Sequence, residues 1–345
     1  MKILKDSIVL RKPFDMHLHL REGVMLLDVA FFTKLFAGGV VMGNLARPVT
    51  TADAVRCYQK EVQAAIASWG GNFQSIMSVM LVHSTTPKIL EQAHKAGARV
   101  LKLIPGQTST NSQQGICLSE LPDKKDVLQC AAELDMIFSG HWELACDPRN
   151  GAIIPEVQRE HEAIPWLCQL IEDHPALKTV VEHVSTAQMV NLVKSAPANV
   201  GATITSHHLV LTYDMVGEGG QVDPLNYCKP IAKIKADQVA LLQAATSGDS
   251  KFFFGSDSAP HLLSAKRNGA AGIFSAPVAL PLLVQIFEAQ KKLPQLEAFT
   301  SEFGPRFYGL PPAEDVVTLQ RKDWQVPRDY EGIPIFLAGQ TLTWQ

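Results

Sequence analysis

An α/β fold, a (β/α)8 (TIM) barrel, is what the sequence predicts, and three observations predict it. Short apolar runs alternate with segments of helical periodicity; there are eight such runs; and polar, chemically versatile residues fall at the C-terminal ends of most of them. The runs are 13–20, 39–45, 75–82, 98–104, 135–141, 178–183, 200–205 and 251–256, each of strand length and bounded by turn residues. Helix-like segments lie between them at 51–67, 87–96, 123–134, 156–173, 186–195 and 236–247. Eight strand candidates alternating with helices over about 250 residues is the barrel pattern. A doubly wound sheet is the alternative, but no G-x-G-x-x-G follows the first strand.

No repeat, low-complexity tract or Pro/Gly-rich linker divides the 345 residues, so residues 1–345 read as one domain. Residues 305–345, with several prolines and the ending FLAGQTLTW, read as an extension packed on the barrel. The chain is 46% hydrophobic and 19% charged, with a net charge of −3 and no long run of either sign. That balance argues against a nucleic-acid or membrane-surface protein while leaving room for a local anion pocket. Six scattered cysteines without a C-x-x-C pair suit a reducing compartment better than a disulfide scaffold. The N-terminal apolar stretch is too short for a signal peptide, and no run approaches a membrane span, so the expected location is the cytoplasm.

In the first run, Asp15-Met16-His17-Leu18-His19-Leu20-Arg21, strand alternation places His17, His19 and Arg21 on one face and Met16, Leu18 and Leu20 on the other. Two neighbouring imidazoles make half of a metal site, and a guanidinium one step on can hold an anion. A lone His-x-His is as easily a strand with two satisfied histidines. The other strand ends weigh against that reading: Asn44 on the second, Lys102 on the fourth, His141 on the fifth, His183 on the sixth and Asp257 after the eighth. Barrel active sites are built at that face. Lys102 interrupts the apolar run ARVLKLIP, where its ammonium would be desolvated and its pKa depressed. Such an amine is prone to carbamylation by CO2, which converts a cation into a bidentate anion able to bridge two metals. A lysine paired with a buried carboxylate, or snorkelling to the rim, is the plainer alternative.

The motifs DMHLHLREG (15–23), VMGNLARPVTT (41–51), KLIPGQTSTNS (102–112), SGHWE (139–143), VEHVST (181–186), ATITSHHL (202–209), NYCKPIAK (226–233), GSDSAPH (255–261), GPRFYGLP (304–311) and FLAGQTLTW (336–344) run from end to end. By these the chain resembles the amidohydrolase superfamily and, within it, the compact, stand-alone dihydroorotases of bacteria. The first motif starts too early to leave room for the N-terminal half of a flanking β-sandwich, which fits the compact class.

The resemblance implies a barrel of the metal-dependent hydrolase type with two zinc ions per subunit. His17, His19, Asp257 and Lys102, as its carbamate, would hold one ion; Lys102, His141 and His183 would hold the other. It implies reversible interconversion of N-carbamoyl-L-aspartate and L-dihydroorotate in pyrimidine synthesis, with Asp257 as the catalytic proton carrier. Arg21, Asn44 and His261 would bind the substrate carboxylate, and the 227–230 segment would offer backbone groups to the ring. Residues 107–111 read as a mobile loop, for which the family implies a lid reaching substrate through Ser109 and Thr110. Family members are often dimers, which extends a homodimer expectation to this chain.

Four departures stand out. Trp142 replaces a usual glycine and is expected to narrow the mouth; Lys229 stands where an apolar residue is usual and would add a cation to the pocket. Gly43 replaces a proline and is expected to loosen Asn44, and residues 146–150 enlarge the loop after the fifth strand. Two other functions stay open on sequence alone. One is hydrolysis of another cyclic amide, a hydantoin or dihydropyrimidine, which needs no carboxylate clamp. The other is an inactive homologue serving as a scaffold.

Overall fold

The computed structural model describes residues 1–218 and 221–345. Its centre is an eight-stranded parallel sheet of β1 (Phe14–Leu18), β2 (Gly38–Val41), β3 (Gln74–Met80), β4 (Ala98–Leu103), β5 (Ile137–Gly140), β6 (Thr179–Val181), β7 (Val200–Ile204) and β8 (Phe252–Phe254). Each strand pairs with its sequence neighbours. The two edges meet where Ser258, just beyond β8, bridges Leu18 and Asp257 N donates to His17 O at 2.8 Å. All eight predicted strands and the six predicted helices are present, the helix bounds shifting by up to three residues.

The connecting loops explain why these helices start where they do. Thr51, Thr86 and Thr186 each sit in extended backbone and accept a hydrogen bond from the amide three residues on, at 3.3, 3.3 and 3.2 Å. Pro87 occupies the first turn of its helix, where its missing N–H costs nothing.

The barrel interior is filled by Phe14, Met16, Val40, Met42, Ile76, Val100, Ile137, Val180 and Phe253. Helix Phe303–Phe307 closes it from below, with Gly304 so near Met16 that a Cβ would lie 2.6 Å from Met16 Cγ. This corrects the alternation predicted for β1. Met16 belongs to the interior with Phe14, whereas Leu18 and Leu20 pack in the outer layer between sheet and helices. The pairing of β1 with β2 shifts register between Asp15 and Leu18. A bulge of this kind re-aims side chains, so His17 faces the mouth one residue after Met16 faces the core.

The ends of the chain form a second sheet. Ser7–Arg11 pairs antiparallel with Val316–Gln325, which pairs in turn with Thr341–Trp344. The predicted C-terminal extension therefore begins inside a helix of the barrel floor and continues as strands that pair with N-terminal residues about 300 positions away, a long-range pairing that no local pattern encodes. All six cysteines are free thiols. Among the described residues, no helix is long and apolar enough to cross a membrane.

Candidate active site

The histidines after β1 converge on the turn after β8. His17 Nε2 and His19 Nε2 lie 3.5 and 3.2 Å from Asp257 Oδ1, with the two rings 5.3 Å apart. Glu182, from the end of β6, sets the orientation of His17: its Oε2 accepts from His17 Nδ1 at 2.8 Å, leaving the Nε2 lone pair to face the mouth. Glu182 is held in turn by the Ser139 hydroxyl and, at 2.6 Å, by Thr203 Oγ1. Burial alone would raise the Glu182 carboxyl, but His17 and Lys102 outweigh it and hold it below the usual range. Asp257 likewise stays well below its ordinary value despite burial, because the imidazoles around it favour its charge. Burial pushes His19 down to about 4 and His183 well below its normal range. At neutral pH Asp257 is a carboxylate beside neutral His19 and His183, the protonation state that binds a divalent cation.

The second half of the site is built the same way. Glu143 Oε2 accepts from His141 Nε2 at 2.8 Å, so His141 Nδ1 is turned toward His183 Nε2, 3.1 Å away. The His183 ring also lies 5.0 Å from that of His17, which ties the two halves together. His183 Nδ1 and Lys102 Nζ, both buried, have no hydrogen-bond partner among the described residues. Lys102 is 1% exposed, and burial draws its amine down to about 8 against the pull of Glu182 and Asp257. A buried, unpartnered amine beside inward-facing imidazole nitrogens fits the donor set of a metal centre bridged by a modified lysine.

Three residues of the site, Arg21, His183 and Asp257, hold left-handed backbone with φ of 61°, 39° and 43°. Such conformations cost on the order of 1–3 kcal/mol each and persist only where surrounding contacts impose them. Here they turn each side chain inward at the end of its strand.

Arg21 supplies positive charge beside the imidazoles. Its Nε donates to Pro260 O at 3.0 Å and its Nη2 donates to His261 Nε2 at 2.9 Å. Burial and the neighbouring guanidinium push His261 down to about 3, so it stays neutral and accepts. Asn44 Nδ2 donates to Thr110 O and Asn111 Nδ2 to Asn44 O, both at 3.3 Å, and Thr110 Oγ1 donates to Ala271 O at 3.3 Å. Lys229 Nζ lies 3.2 Å from Glu156 Oε1.

Eleven of the twelve predicted site residues line one cleft: His17, His19, Arg21, Asn44, Lys102, Ser109, Thr110, His141, His183, Lys229 and Asp257. His261 stands just behind, against Arg21. The orienting acids Glu143 and Glu182 were given no role from sequence. An acid close to each strand-end histidine was the available signal, although Glu182 serves His17 on a different strand rather than its neighbour His183.

Two expectations are corrected. Trp142 is 1% exposed and packs edge-on against Phe138, outside the cleft, because the residue after His141 points into the outer core. Gly43 does not loosen Asn44: its N–H donates to Ser78 Oγ at 2.9 Å, which a proline could not do, and a Cβ there would lie 2.9 Å from Val49 Cβ. The 107–111 loop, expected as a lid, lies against the cleft. Thr108 is buried with its hydroxyl donating to Pro105 O at 2.6 Å, and Asn44 and Ala271 bind the loop across the cleft.

An eight-stranded parallel barrel carrying imidazoles, a buried lysine and an aspartate at its C-terminal mouth is the architecture of the amidohydrolase superfamily. No family model matches the chain. A curated dihydroorotase of Synechococcus sp. (strain CC9902) is 39% identical over 348 residues, covering 99% of this chain and 98% of that one. One from Pseudomonas syringae pv. tomato is 38% identical over 352 residues, covering 99% of both. The crystal structure of dihydroorotase from Saccharomyces cerevisiae in complex with 5-fluoroorotic acid superposes with a TM-score of 0.90 at 32% identity, over 99% of this chain and 98% of that one. An L-hydantoinase from Arthrobacter aurescens shares the fold alone, with a TM-score of 0.80 at 17% identity over 98% of this chain and 82% of that one. The chain belongs to the dihydroorotase family.

Proposed function

We propose that this enzyme interconverts N-carbamoyl-L-aspartate and L-dihydroorotate, the ring-closing step of pyrimidine synthesis, at the cleft between His17 and Asp257. The observation that carries the reading is Arg21, half-buried beside the imidazole cluster with N–H groups left over for a substrate carboxylate. Dihydroorotate has such a carboxylate; hydantoin and dihydrouracil do not.

His17, His19 and Asp257 would hold one zinc ion, His141 and His183 a second, and Lys102, carbamylated on Nζ, would serve both. When bound, two such ions lower the pKa of water and polarise an amide carbonyl. In the hydrolytic direction water adds to the ring amide carbonyl and the C–N bond breaks. Asp257 takes the proton released by the attacking water and delivers it to the departing nitrogen. In the synthetic direction Asp257 removes that proton from the ureido nitrogen. Glu143 and Glu182 keep His141 and His17 in the tautomers that face the cleft. Arg21, Asn44 and His261 would hold the substrate carboxylate. Ser109 and Thr110 would cover the ring, and Lys229, neutralised in part by Glu156, would add a cation at the rim.

We read residues 1–345 as one domain, a reading supported by the pairing of Ser7–Arg11 with Val316–Gln325. We also read the protein as a cytoplasmic homodimer. Light scattering at two protein concentrations tests the dimer.

The test of function is turnover of dihydroorotate and cyclisation of carbamoyl aspartate, alongside hydantoin and dihydrouracil, with zinc counted per chain. Turnover confined to the acidic pair is expected. Preference for hydantoin or dihydrouracil would overturn the substrate assignment. No turnover after zinc and bicarbonate are supplied would favour an inactive homologue.

A further inference from the structure

A second set of metal-ligating side chains lies outside those residues. The turn after β7 carries His207 and His208, which pack against Cys228 on the 227–230 segment; all three are at most 1% exposed. One ligand atom from each falls within 4.8 Å of the other two. Cys228 Sγ is 3.9 Å from His208 Nε2. A tetrahedral zinc-type centre, with bonds of about 2.3 Å to sulfur and about 2.0 Å to nitrogen, sets those donors about 3.6 Å apart. The two atoms therefore need to move by only a few tenths of an ångström.

His207 supplies the independent observation. Neither of its ring nitrogens has a hydrogen-bond partner among the described residues, although the ring is fully buried. Buried imidazoles are rarely left with both nitrogens unsatisfied. His208 has an orienting group of the kind metal-bound histidines use: its Nδ1 lies 2.8 Å from Thr205 Oγ1. In one tautomer His208 Nε2–H donates to Pro230 O, 2.9 Å away. In the other, Nδ1–H donates to Thr205 Oγ1 and the Nε2 lone pair faces Cys228 once Pro230 O, which also accepts from Cys228 Sγ at 3.3 Å, turns away from both groups.

We infer that His207, His208 and Cys228 form a separate metal site for one thiophilic divalent ion of the zinc type, which pins the 227–230 segment to the turn after β7. One thiolate and two imidazoles are the donor set such an ion selects. Binding breaks the Cys228 S–H bond and forms a sulfur–metal bond; the proton leaves to solvent and nothing is oxidised. Because the adjacent Lys229 lines the cleft, the site would fix one wall of the proposed substrate pocket.

Cobalt(II) is the probe. The ligands proposed for the binuclear centre contain no sulfur, so a thiolate-to-cobalt charge-transfer band reads the new site alone. Failure of the binuclear reading would leave the band intact. The full-length protein titrated with cobalt(II) should show the band and retain one more ion per chain than Cys228→Ser after dialysis. His207→Gln keeps the thiol and should need at least tenfold more cobalt for half the band, which guards against misfolding of the cysteine variant. Absence of the band in the unmodified protein, its persistence in Cys228→Ser, or an unchanged titration in His207→Gln would each overturn the inference.

Discussion

Replacing Arg21 with methionine keeps much of the side-chain volume and removes the guanidinium that faces the imidazole cluster. Arg21 has five N–H donors. Its Nε is engaged by Pro260 O and one Nη2 hydrogen by His261, so three donors remain for a substrate carboxylate. Burial lowers the guanidinium only to about 10, so it is charged throughout the neutral range. A hydrogen bond to a charged group contributes about 1.5–3 kcal/mol. Losing one such contact corresponds to a 10- to 150-fold weaker ground-state interaction. The carboxylate lies away from the bond that breaks, so the loss falls on binding more than on chemistry. Steady-state hydrolysis of dihydroorotate should therefore show KM raised by about 10- to 150-fold with kcat within a few-fold. A KM within twofold of the parent, or a loss confined to kcat with zinc content unchanged, would refute the carboxylate role.

Glu182→Gln removes the carboxylate that fixes the tautomer of His17, and metal retention against a chelator should fall by about 10- to 100-fold; unchanged retention would deny Glu182 that role. Lys102→Ala should abolish paired metal binding, and a short carboxylic acid supplied with zinc should restore part of the activity; full metal content in the variant would rule out the bridging carbamate. In metal-free protein only the neutral Lys102 amine captures CO2. At fixed dissolved CO2, capture should rise as pH increases through about 8, read by the carbamate carbon in an NMR spectrum, and a flat profile would contradict the buried amine. Trp344 is 1% exposed, accepts from Trp324 Nε1 at 2.6 Å through its carbonyl and lies under the Arg321 guanidinium at 4.3 Å. Trp344→Ala should destabilise the terminal sheet by about 3–5 kcal/mol in urea unfolding; an unchanged midpoint would mean that sheet adds nothing to the stability of the barrel.

The eight strands, the six helices between them and the identity of the chemical groups at the strand ends were legible in the sequence. Each depends on a local pattern: apolar runs of strand length, helical periodicity between them, a lysine or histidine where an apolar residue should be. The errors share one cause. Trp142, Gly43 and the alternation around Met16 were judged from neighbours in sequence, whereas packing from other strands fixed them. The bulge in β1 is set by its pairing with β2, and the tight fit at Gly43 is set by Ser78 and Val49.

By itself the sequence determined that histidines, a lysine and an aspartate would gather at one end of a barrel, because β/α periodicity brings successive strand ends to the same face. Only the tertiary structure decided which atom of each would point into the cleft. His17 is aimed by Glu182, a residue 165 positions away, and Arg21 by contacts with Pro260 and His261. Arg21, His183 and Asp257 are held in left-handed backbone, which residues other than glycine adopt uncommonly. Local pattern sets where a side chain begins; the energy that fixes its direction comes from partners that only folding brings within reach.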